Sequence, residues 1–191
     1  MKIIGGQYKG RNFYMPAGIR PTQNLARKAL FDLLGQDMEG LSFLDLFAGS
    51  GSVGLEAISR GAKEVVFVEK DPKNAEIITQ NVGLLRIDHQ KVRVKIEVLT
   101  KDALASIKEF ARQGRVFDIV FIDPPYGRGL AKKALKTLDA HVIVHPNSYL
   151  IFQHEQDEIL PESLGRFLAF RRKSYGRTCF SLYHINNKNI I

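Results

Sequence analysis

The strongest constraint on the fold is an alternation of strand-like and helix-like segments that begins near residue 41. Short runs rich in β-branched and aromatic residues predict strands, and segments of helical period lie between them. Strands separated by helices form βαβ units, which build a parallel sheet with helices on both faces. The predicted strands are residues 41–46, 64–69, 92–98, 116–122 and 149–153, and the predicted helices are 53–60, 72–85, 102–112 and 130–138.

The two ends of the chain depart from this alternation. Residues 167–174 and 178–185 have strand patterns, and the three residues between them are too few for a crossover helix, so they predict an antiparallel hairpin. Residues 24–34 have the apolar spacing of an amphipathic helix. The Gly/Pro-rich residues 5–21 predict an irregular or hairpin-like segment.

These patterns together predict one domain over residues 1–191. We expect an α/β fold that is Rossmann-like, with a mostly parallel sheet, helices on both faces and a C-terminal antiparallel hairpin. Residues 1–38 would form an N-terminal extension and helix, and residues 39–191 the core of the domain.

The composition is that of a folded protein, and we expect it in the cytoplasm. It is 45% hydrophobic and 25% charged, and neither a run of membrane-spanning length nor a secretion signal is present. Cys179 is the only cysteine, which excludes an internal disulfide. The five histidines are scattered without ligand spacing, so no metal site is expected.

The formal charge of +8 is concentrated at the two ends of the sequence. Residues 1–28 carry six basic side chains and no acid, and so do residues 163–191. Residues 29–162 therefore carry 8 − 12 = −4. Such a distribution fits a polyanion-binding surface if the fold joins the ends, and it equally fits two solvated basic flanks.

A glycine-rich loop follows the first predicted strand. Gly49, Gly51 and Gly54 match the G-x-G-x-x-G spacing of a dinucleotide site, and Leu55 in place of lysine excludes a P-loop. Asp45 favours another ligand, because a carboxylate there would repel a pyrophosphate but attract the ammonium and sulfonium of S-adenosylmethionine. Glu69, at the end of the second strand, is placed to accept hydrogen bonds from ribose hydroxyls of either cofactor.

Asp102 is a third carboxylate that follows a predicted strand. It could accept a hydrogen bond from an adenine amino group, or it could serve as a helix N-cap, and the two roles are compatible. The fourth predicted strand runs into Asp123-Pro124-Pro125-Tyr126, where two prolines end the strand and stiffen the turn. Ligands of open α/β sheets bind beyond the carboxyl ends of strands, so this turn and the glycine loop should face one crevice.

With DLFAGSG at residues 45–51 and DPPY at residues 123–126, the chain resembles the class I methyltransferases that act on exocyclic amines of nucleobases. It is most similar to the bacterial small-subunit (16S) ribosomal RNA guanine-N2 methyltransferases. Where that family usually carries an Asp-Arg pair and a Glu, this chain has Asn24, Leu25 and Lys28, and Arg27 is retained. The other shared segments are Ile3-Ile4-Gly5-Gly6, Lys9-Gly10-Arg11, Arg20-Pro21-Thr22, Phe67-Val68-Glu69-Lys70-Asp71 and Tyr175-Gly176.

The resemblance implies S-adenosylmethionine-dependent methylation of a guanine N2 amine in 16S ribosomal RNA, either naked or in a small-subunit assembly intermediate, by a monomer. The Asp123 carboxylate and the Pro124 carbonyl would accept the N–H bonds of the amine and so turn its lone pair towards the methyl group. Tyr126 would stack on the base. The catalytic set is Asp123, Pro124, Pro125 and Tyr126.

Two further sets of residues complete this hypothesis. The cofactor-binding set is Asp45, Phe47, Ala48, Gly49, Ser50, Gly51, Glu69, Lys70, Asp102, Ala103 and Asp123. If the strand at 167–174 runs parallel to the main strands, its hairpin turn emerges beside the Asp-Pro-Pro-Tyr turn. The RNA-binding set is Lys9, Arg11, Arg20, Arg27, Arg171, Arg172, Lys173 and Arg177.

Three other functions fit part of the sequence. One is methylation of adenine N6 or of another base amine, because Asp-Pro-Pro-Tyr does not name the base; the sequence has no obvious DNA target-recognition domain, which favours RNA. An NAD-dependent oxidoreductase is disfavoured by Asp45 and by the Asp-Pro-Pro-Tyr turn. A non-catalytic RNA-binding assembly module is disfavoured by the presence of Asp45, Glu69 and Asp123 together.

Overall fold

The first three apolar runs of the alternating pattern form neighbouring parallel strands. The computed structural model describes residues 1–16, 24–88, 90 and 92–186, and its contacts divide the chain into two units, Met1–Asp102 and Ala103–Ile191. In the first unit the strand order is β3-β2-β1, all parallel. The elements of this unit are α1 (Asn24–Leu34), β1 (Ser42–Leu46), α2 (Ser52–Ser59), β2 (Glu64–Glu69), α3 (Pro72–Leu84) and β3 (Lys95–Thr100).

The helices of this unit begin and end where their sequence signals lie. Pro72 is the first residue of α3, and the side chain of Asp71 caps that helix by accepting from the Lys73 N–H over 2.8 Å. Gly61 follows α2 with a φ of 97°, as a glycine does after a helix C-terminus. The strand predicted from residue 92 begins only at Lys95, because the Val92 N–H closes a turn on the Asp88 carbonyl.

The N-terminal segment is hairpin-like over its described part. Lys2 forms an antiparallel bridge with Asn12, and the Ile3 N–H donates to the Arg11 carbonyl. The buried carboxylate of Glu56 on α2 fastens this segment, because it accepts the Ile4 N–H over 3.0 Å. The extension is therefore fixed to α2 by a polar anchor, and its Ile3, Tyr8 and Phe13 side chains are buried.

The second unit holds the remaining strands in the order β4-β5-β8-β7-β6. β4 and β5 are parallel, and β8, β7 and β6 then alternate as antiparallel neighbours, so β7 runs in the same direction as β4. The antiparallel hairpin predicted at the C-terminus is confirmed. The elements are α4 (Ala103–Arg112), β4 (Phe117–Ile122), α5 (Leu130–Ala140), β5 (Val144–Glu155), β6 (Ser163–Leu164), β7 (Phe167–Tyr175) and β8 (Thr178–Ile185).

β5 is longer than its sequence pattern predicts. Its pairing with β4 shifts between Phe117↔Val144 and Ile119↔Tyr149, so an irregular stretch that contains Pro146 interrupts the ladder. Ser148 repairs the gap by donating its hydroxyl to the Phe117 carbonyl over 2.7 Å. The regular pairing with β4 therefore resumes only at Tyr149, where the sequence predicted the strand to begin.

None of the described helices has the length and apolar character that crossing a membrane requires. The predicted division into residues 1–38 and 39–191 stays a prediction.

Candidate active site

The loop after β1 is held in a conformation that glycine favours. Gly49 and Gly51 have φ values of 56° and 72°, and Phe47 has a φ of 61° that costs an L residue roughly 1 kcal/mol. Packing also favours glycine at position 51, because a Cβ there would lie 3.1 Å from the Ile78 side chain. The loop thus exposes backbone close to any ligand placed at the end of β1.

Asp45 lies beneath the N-terminus of α2. Asp45 is only 2% exposed, and its Oδ2 accepts the Gly54 N–H over 3.0 Å. This places a negative charge at the positive end of the helix dipole. Gly54 itself is required by packing, because a Cβ there would come within 2.2 Å of the Phe67 ring.

Glu69 ties the end of β2 to the glycine loop. Its Oε2 accepts the Gly49 N–H over 2.7 Å, and its Oε1 accepts the Asp71 N–H over 2.8 Å. A carboxylate has about four acceptor directions, so both oxygens keep capacity for further donors such as ribose hydroxyls. Glu69 is half-buried and Lys70 is exposed.

A buried amide fixes the other side of the same loop. Asn81 on α3 donates to the Ser50 carbonyl over 3.3 Å and pairs with both backbone groups of Tyr14. Ser50 is 4% exposed, whereas Asp102 is exposed at the end of its unit and Ala103 is buried at the start of α4. Asn81 was not predicted, and its only sequence signal is a polar residue among the apolar positions of α3.

The first unit fits the chemistry of S-adenosylmethionine. It supplies a buried carboxylate at the end of β1, a positive-φ glycine loop, and a second carboxylate at the end of β2 with acceptor capacity left. These groups match the ammonium and sulfonium groups and the ribose of that cofactor. The residues that would hold the cofactor are Asp45, Gly49, Gly51 and Glu69.

The Asp-Pro-Pro-Tyr turn follows β4 in the second unit. Asp123 is half-buried, Pro124 is buried and Pro125 is exposed, while Tyr126 is 39% exposed. Burial raises the pKa of Asp123 to about 7. Burial, and then the charge of Asp123, raises the pKa of Tyr126. A carboxylate with a pKa near neutrality at a strand end is typical of an active site.

Gln153 of β5 joins the two polar side chains of this turn. Its Nε2 donates to Asp123 Oδ2 over 3.0 Å and to the Tyr126 hydroxyl oxygen over 3.3 Å. Gln153 was not predicted as a site residue. Its signal was a polar residue at the carboxyl end of the apolar run Leu150-Ile151-Phe152, which predicts a doubly buried strand.

The basic side chains of the β7–β8 hairpin divide into two groups. Arg171, Lys173 and Arg177 are exposed. Arg172 is exposed too, but its guanidinium donates to the Ser181 hydroxyl over 3.2 Å and to the Leu160 carbonyl over 2.9 Å, so it is already hydrogen-bonded within the protein. Because β7 and β4 run in the same direction, the turn of the hairpin lies at the same edge as the carboxyl end of β4.

The N-terminal RNA contacts need one correction. Arg27 was predicted to bind RNA, but it is completely buried in an ion pair with Glu56, so its guanidinium cannot reach a phosphate. Arg11 is exposed, but it donates to the Leu85 carbonyl and lies over the Tyr8 ring. Lys9 is exposed, and Arg20 falls outside the described residues.

Comparison with solved structures identifies the class of protein to which this fold belongs. A solved RNA methyltransferase from Salinibacter ruber, in complex with S-adenosyl-L-homocysteine, has the same fold with a TM-score of 0.65 at 17% identity, covering 88% of this chain and 95% of that one. The fold is that of a class I methyltransferase. The predicted Rossmann-like class I fold is therefore confirmed.

The chain belongs to the family described as "Conserved hypothetical protein 95", whose model matches residues 1–184. The ribosomal RNA small subunit methyltransferase D of Haemophilus influenzae is 33% identical over 187 residues, which cover 96% of this chain and 93% of the relative. A solved structure named "Putative methyltransferase yhhF from Escherichia coli" is 30% identical with a TM-score of 0.83, covering 97% of this chain and 98% of that one. The family resemblance seen in the sequence is confirmed.

Proposed function

We propose that this protein transfers a methyl group from S-adenosylmethionine to the exocyclic N2 amine of a guanine in small-subunit ribosomal RNA. The observation that carries the proposal is Asp123, a carboxylate at the end of β4 with one oxygen tied to Gln153 and a tyrosine three residues later. The H. influenzae relative, named as a methyltransferase of small-subunit ribosomal RNA, supports the substrate class.

The turn supplies what an aromatic amine lacks. Such an amine is a poor nucleophile because its lone pair is delocalised into the ring, and S-adenosylmethionine, when bound, supplies an electrophilic methyl group. Asp123 and the Pro124 carbonyl accept the two N–H bonds and so orient the lone pair towards that methyl group. The same acceptors stabilise the positive charge that develops on the nitrogen as the N–C bond forms.

The remaining site residues hold the two substrates. The Tyr126 ring, 39% exposed, stacks on the base once the base leaves its helix. Asp45 attracts the ammonium and sulfonium groups of the cofactor, Glu69 accepts from the ribose, and Asp102 accepts from the adenine amine. The rest of the predicted cofactor set (Phe47, Ala48, Gly49, Ser50, Gly51, Lys70 and Ala103) would supply backbone and contact surface.

The exposed cations of the hairpin turn bind the RNA backbone. Arg171, Lys173 and Arg177 lie at the edge where β4 ends, and Lys9 and Arg11 would contribute from the N-terminal segment. Contacts of this kind give affinity that falls with salt and carries little sequence information. We further propose that the enzyme is a monomer that acts in the cytoplasm on 16S ribosomal RNA or on a small-subunit assembly intermediate.

A methyl-transfer assay with S-adenosylmethionine labelled with tritium in the methyl group tests the function. The protein is incubated with ribosomal RNA, intact small subunits and DNA, all from cells that lack the enzyme, and the labelled nucleotide is mapped. Label on guanine N2 of small-subunit ribosomal RNA is the expected result. Label found only in DNA, or only on adenine N6, would overturn the substrate assignment.

A ligand comparison separates the enzyme classes before any substrate is known. S-adenosylhomocysteine is expected to raise the melting temperature, whereas NAD is not. A rise with NAD alone would favour the oxidoreductase, and no rise with either ligand would favour the assembly module.

A further inference from the structure

Gln153 is a buried amide that contacts both polar groups of the Asp-Pro-Pro-Tyr turn. It is only 3% exposed, although it carries four hydrogen-bonding positions. The strand register explains its place: Phe152 pairs with Ile122, so Gln153 stands opposite the first residue after β4, which is Asp123. The sheet itself therefore aims the amide at the carboxylate.

We propose that Gln153 is a positioning residue for methyl transfer, which binds Oδ2 of Asp123 so that Oδ1 is left to accept the amine of the substrate. The inference rests on the proposed function of Asp123. The same Nε2 donates to the Tyr126 hydroxyl, so one amide fixes the carboxylate plane and the ring that stacks on the base. Gln153 does not touch the reacting atoms; it acts through the two residues that do.

The hydrogen bond to Asp123 also acts on its charge. An N–H donor favours the ionised form of a carboxylate, whereas burial disfavours it. Because burial already raises the pKa of Asp123, the amide keeps more of the carboxylate ionised near neutral pH. The neighbouring titratable group is Tyr126, whose own hydroxyl is influenced by Asp123, Glu155 and the Thr178 side chain.

The other end of the amide shows that stability alone does not explain Gln153. Its Oε1 is buried and has no hydrogen-bond partner among the described residues. Buried polar atoms are normally paired, and an unpaired acceptor disfavours the folded state. The paired end is the one that meets Asp123 and Tyr126, as expected for a residue retained for the site.

The Gln153→Met variant separates positioning from folding, because methionine has a similar shape but no hydrogen-bond donor. The matched control is Gln113→Met, which changes an exposed glutamine after α4. For Gln153→Met we expect kcat to fall about 10- to 100-fold, with affinity for S-adenosylhomocysteine and the melting temperature close to wild type. The rise of kcat with pH should move to higher pH, because the ionised carboxylate has lost a donor.

The kcat, the pH profile and the Asp123 titration of Gln153→Met each test the positioning role. A kcat and pH profile equal to wild type would overturn the positioning role, and so would a lower kcat without a shift of the pH profile. A carboxyl NMR titration of Asp123 in both proteins gives a readout independent of any substrate. If wild type methylates none of the nucleic acids, the proposed function fails. The titration still tests the hydrogen bond, and an Asp123 pKa equal in both proteins would overturn the inference.

Discussion

Arg27 and Glu56 are both completely buried, and Nε of Arg27 lies 3.4 Å from Oε2 of Glu56. Glu56 also binds Arg60, whose Nη2 is 2.9 Å from Oε1, and the backbone of Ile4. One carboxylate thus forms ion pairs with two guanidinium groups and anchors the N-terminal segment. Removing one member of a buried ion-pair network destabilises a protein far more than replacing all of its members together with apolar residues.

We expect Glu56→Ala to lower the free energy of unfolding by about 3–5 kcal/mol, because it leaves two buried cations uncompensated. Urea denaturation followed by circular dichroism measures this. The control is Asp32→Ala, which breaks the exposed Lys28–Asp32 pair of α1 and should cost less than about 1 kcal/mol. Equal losses in the two variants would contradict the argument.

Two glycines predict opposite effects of the same substitution. At Gly54 a Cβ would lie 2.2 Å from the Phe67 ring, so Gly54→Ala should destabilise the protein by about 1–3 kcal/mol through overpacking. At Gly83, within α3, the new Cβ would meet nothing within 4 Å, and Gly83→Ala should stabilise by about 0.4–1 kcal/mol. Thermal unfolding of both variants tests the pair, and a stable Gly54→Ala protein would show that the ring can move aside.

Much of the fold was predictable because its signals are local. The bounds of α1 and β2 and the hairpin of β7 and β8 follow from apolar period and turn length, which need no knowledge of distant contacts. The first half of β5 was not predictable, because Pro146 and an irregular register remove the alternation, and Ser148 restores the hydrogen bonding only in three dimensions.

The site was predictable where a motif carries the chemistry and not where burial decides. Asp45, Glu69 and Asp123 stand at strand ends, which the sequence marks. Arg27 was wrongly assigned to RNA, because charge in a sequence does not reveal that α1 turns this side chain towards Glu56. Gln153 was missed, because only the register of β5 against β4 brings it to Asp123.

The stability of the protein should record the raised pKa of Asp123. The pKa of Asp123 is about 7 in the folded state, whereas an unperturbed Asp carboxyl has a pKa of 3.8. Between these two pH values the folded protein holds a proton that the unfolded chain has lost. The stabilising effect of that proton is complete below the unfolded pKa and is lost as the pH rises through about 7. Asp123→Asn does not titrate, so its stability relative to wild type should rise by about 2–3 kcal/mol between pH 5 and pH 8. Urea denaturation at both pH values measures this, and a constant difference would contradict it.

Activity should change with pH in the opposite direction. The amine needs an ionised acceptor, so kcat should rise about tenfold per pH unit below the pKa and level off above about 7. Asp123→Asn and Asp123→Ala should lose at least about 100-fold in kcat while still binding S-adenosylhomocysteine. Single-turnover transfer between pH 5.5 and 8.5 tests both points, and normal turnover by Asp123→Ala would refute the assigned role.

RNA affinity should depend on the exposed cations of the hairpin and not on charge in general. Replacing both Arg171 and Lys173 with alanine removes two phosphate contacts, so the slope of log affinity against log salt should become shallower by about 1.4–1.8. The control is Lys136→Ala on α5, an exposed lysine outside the proposed surface, which should leave the slope within about 0.3 of wild type. Binding is measured by filter retention of small-subunit ribosomal RNA at several salt concentrations.

Arg172 should behave differently, because its guanidinium is already bound to Leu160 and Ser181. Arg172→Ala is expected to lower the melting temperature, with less effect on the slope than the substitution of either neighbour.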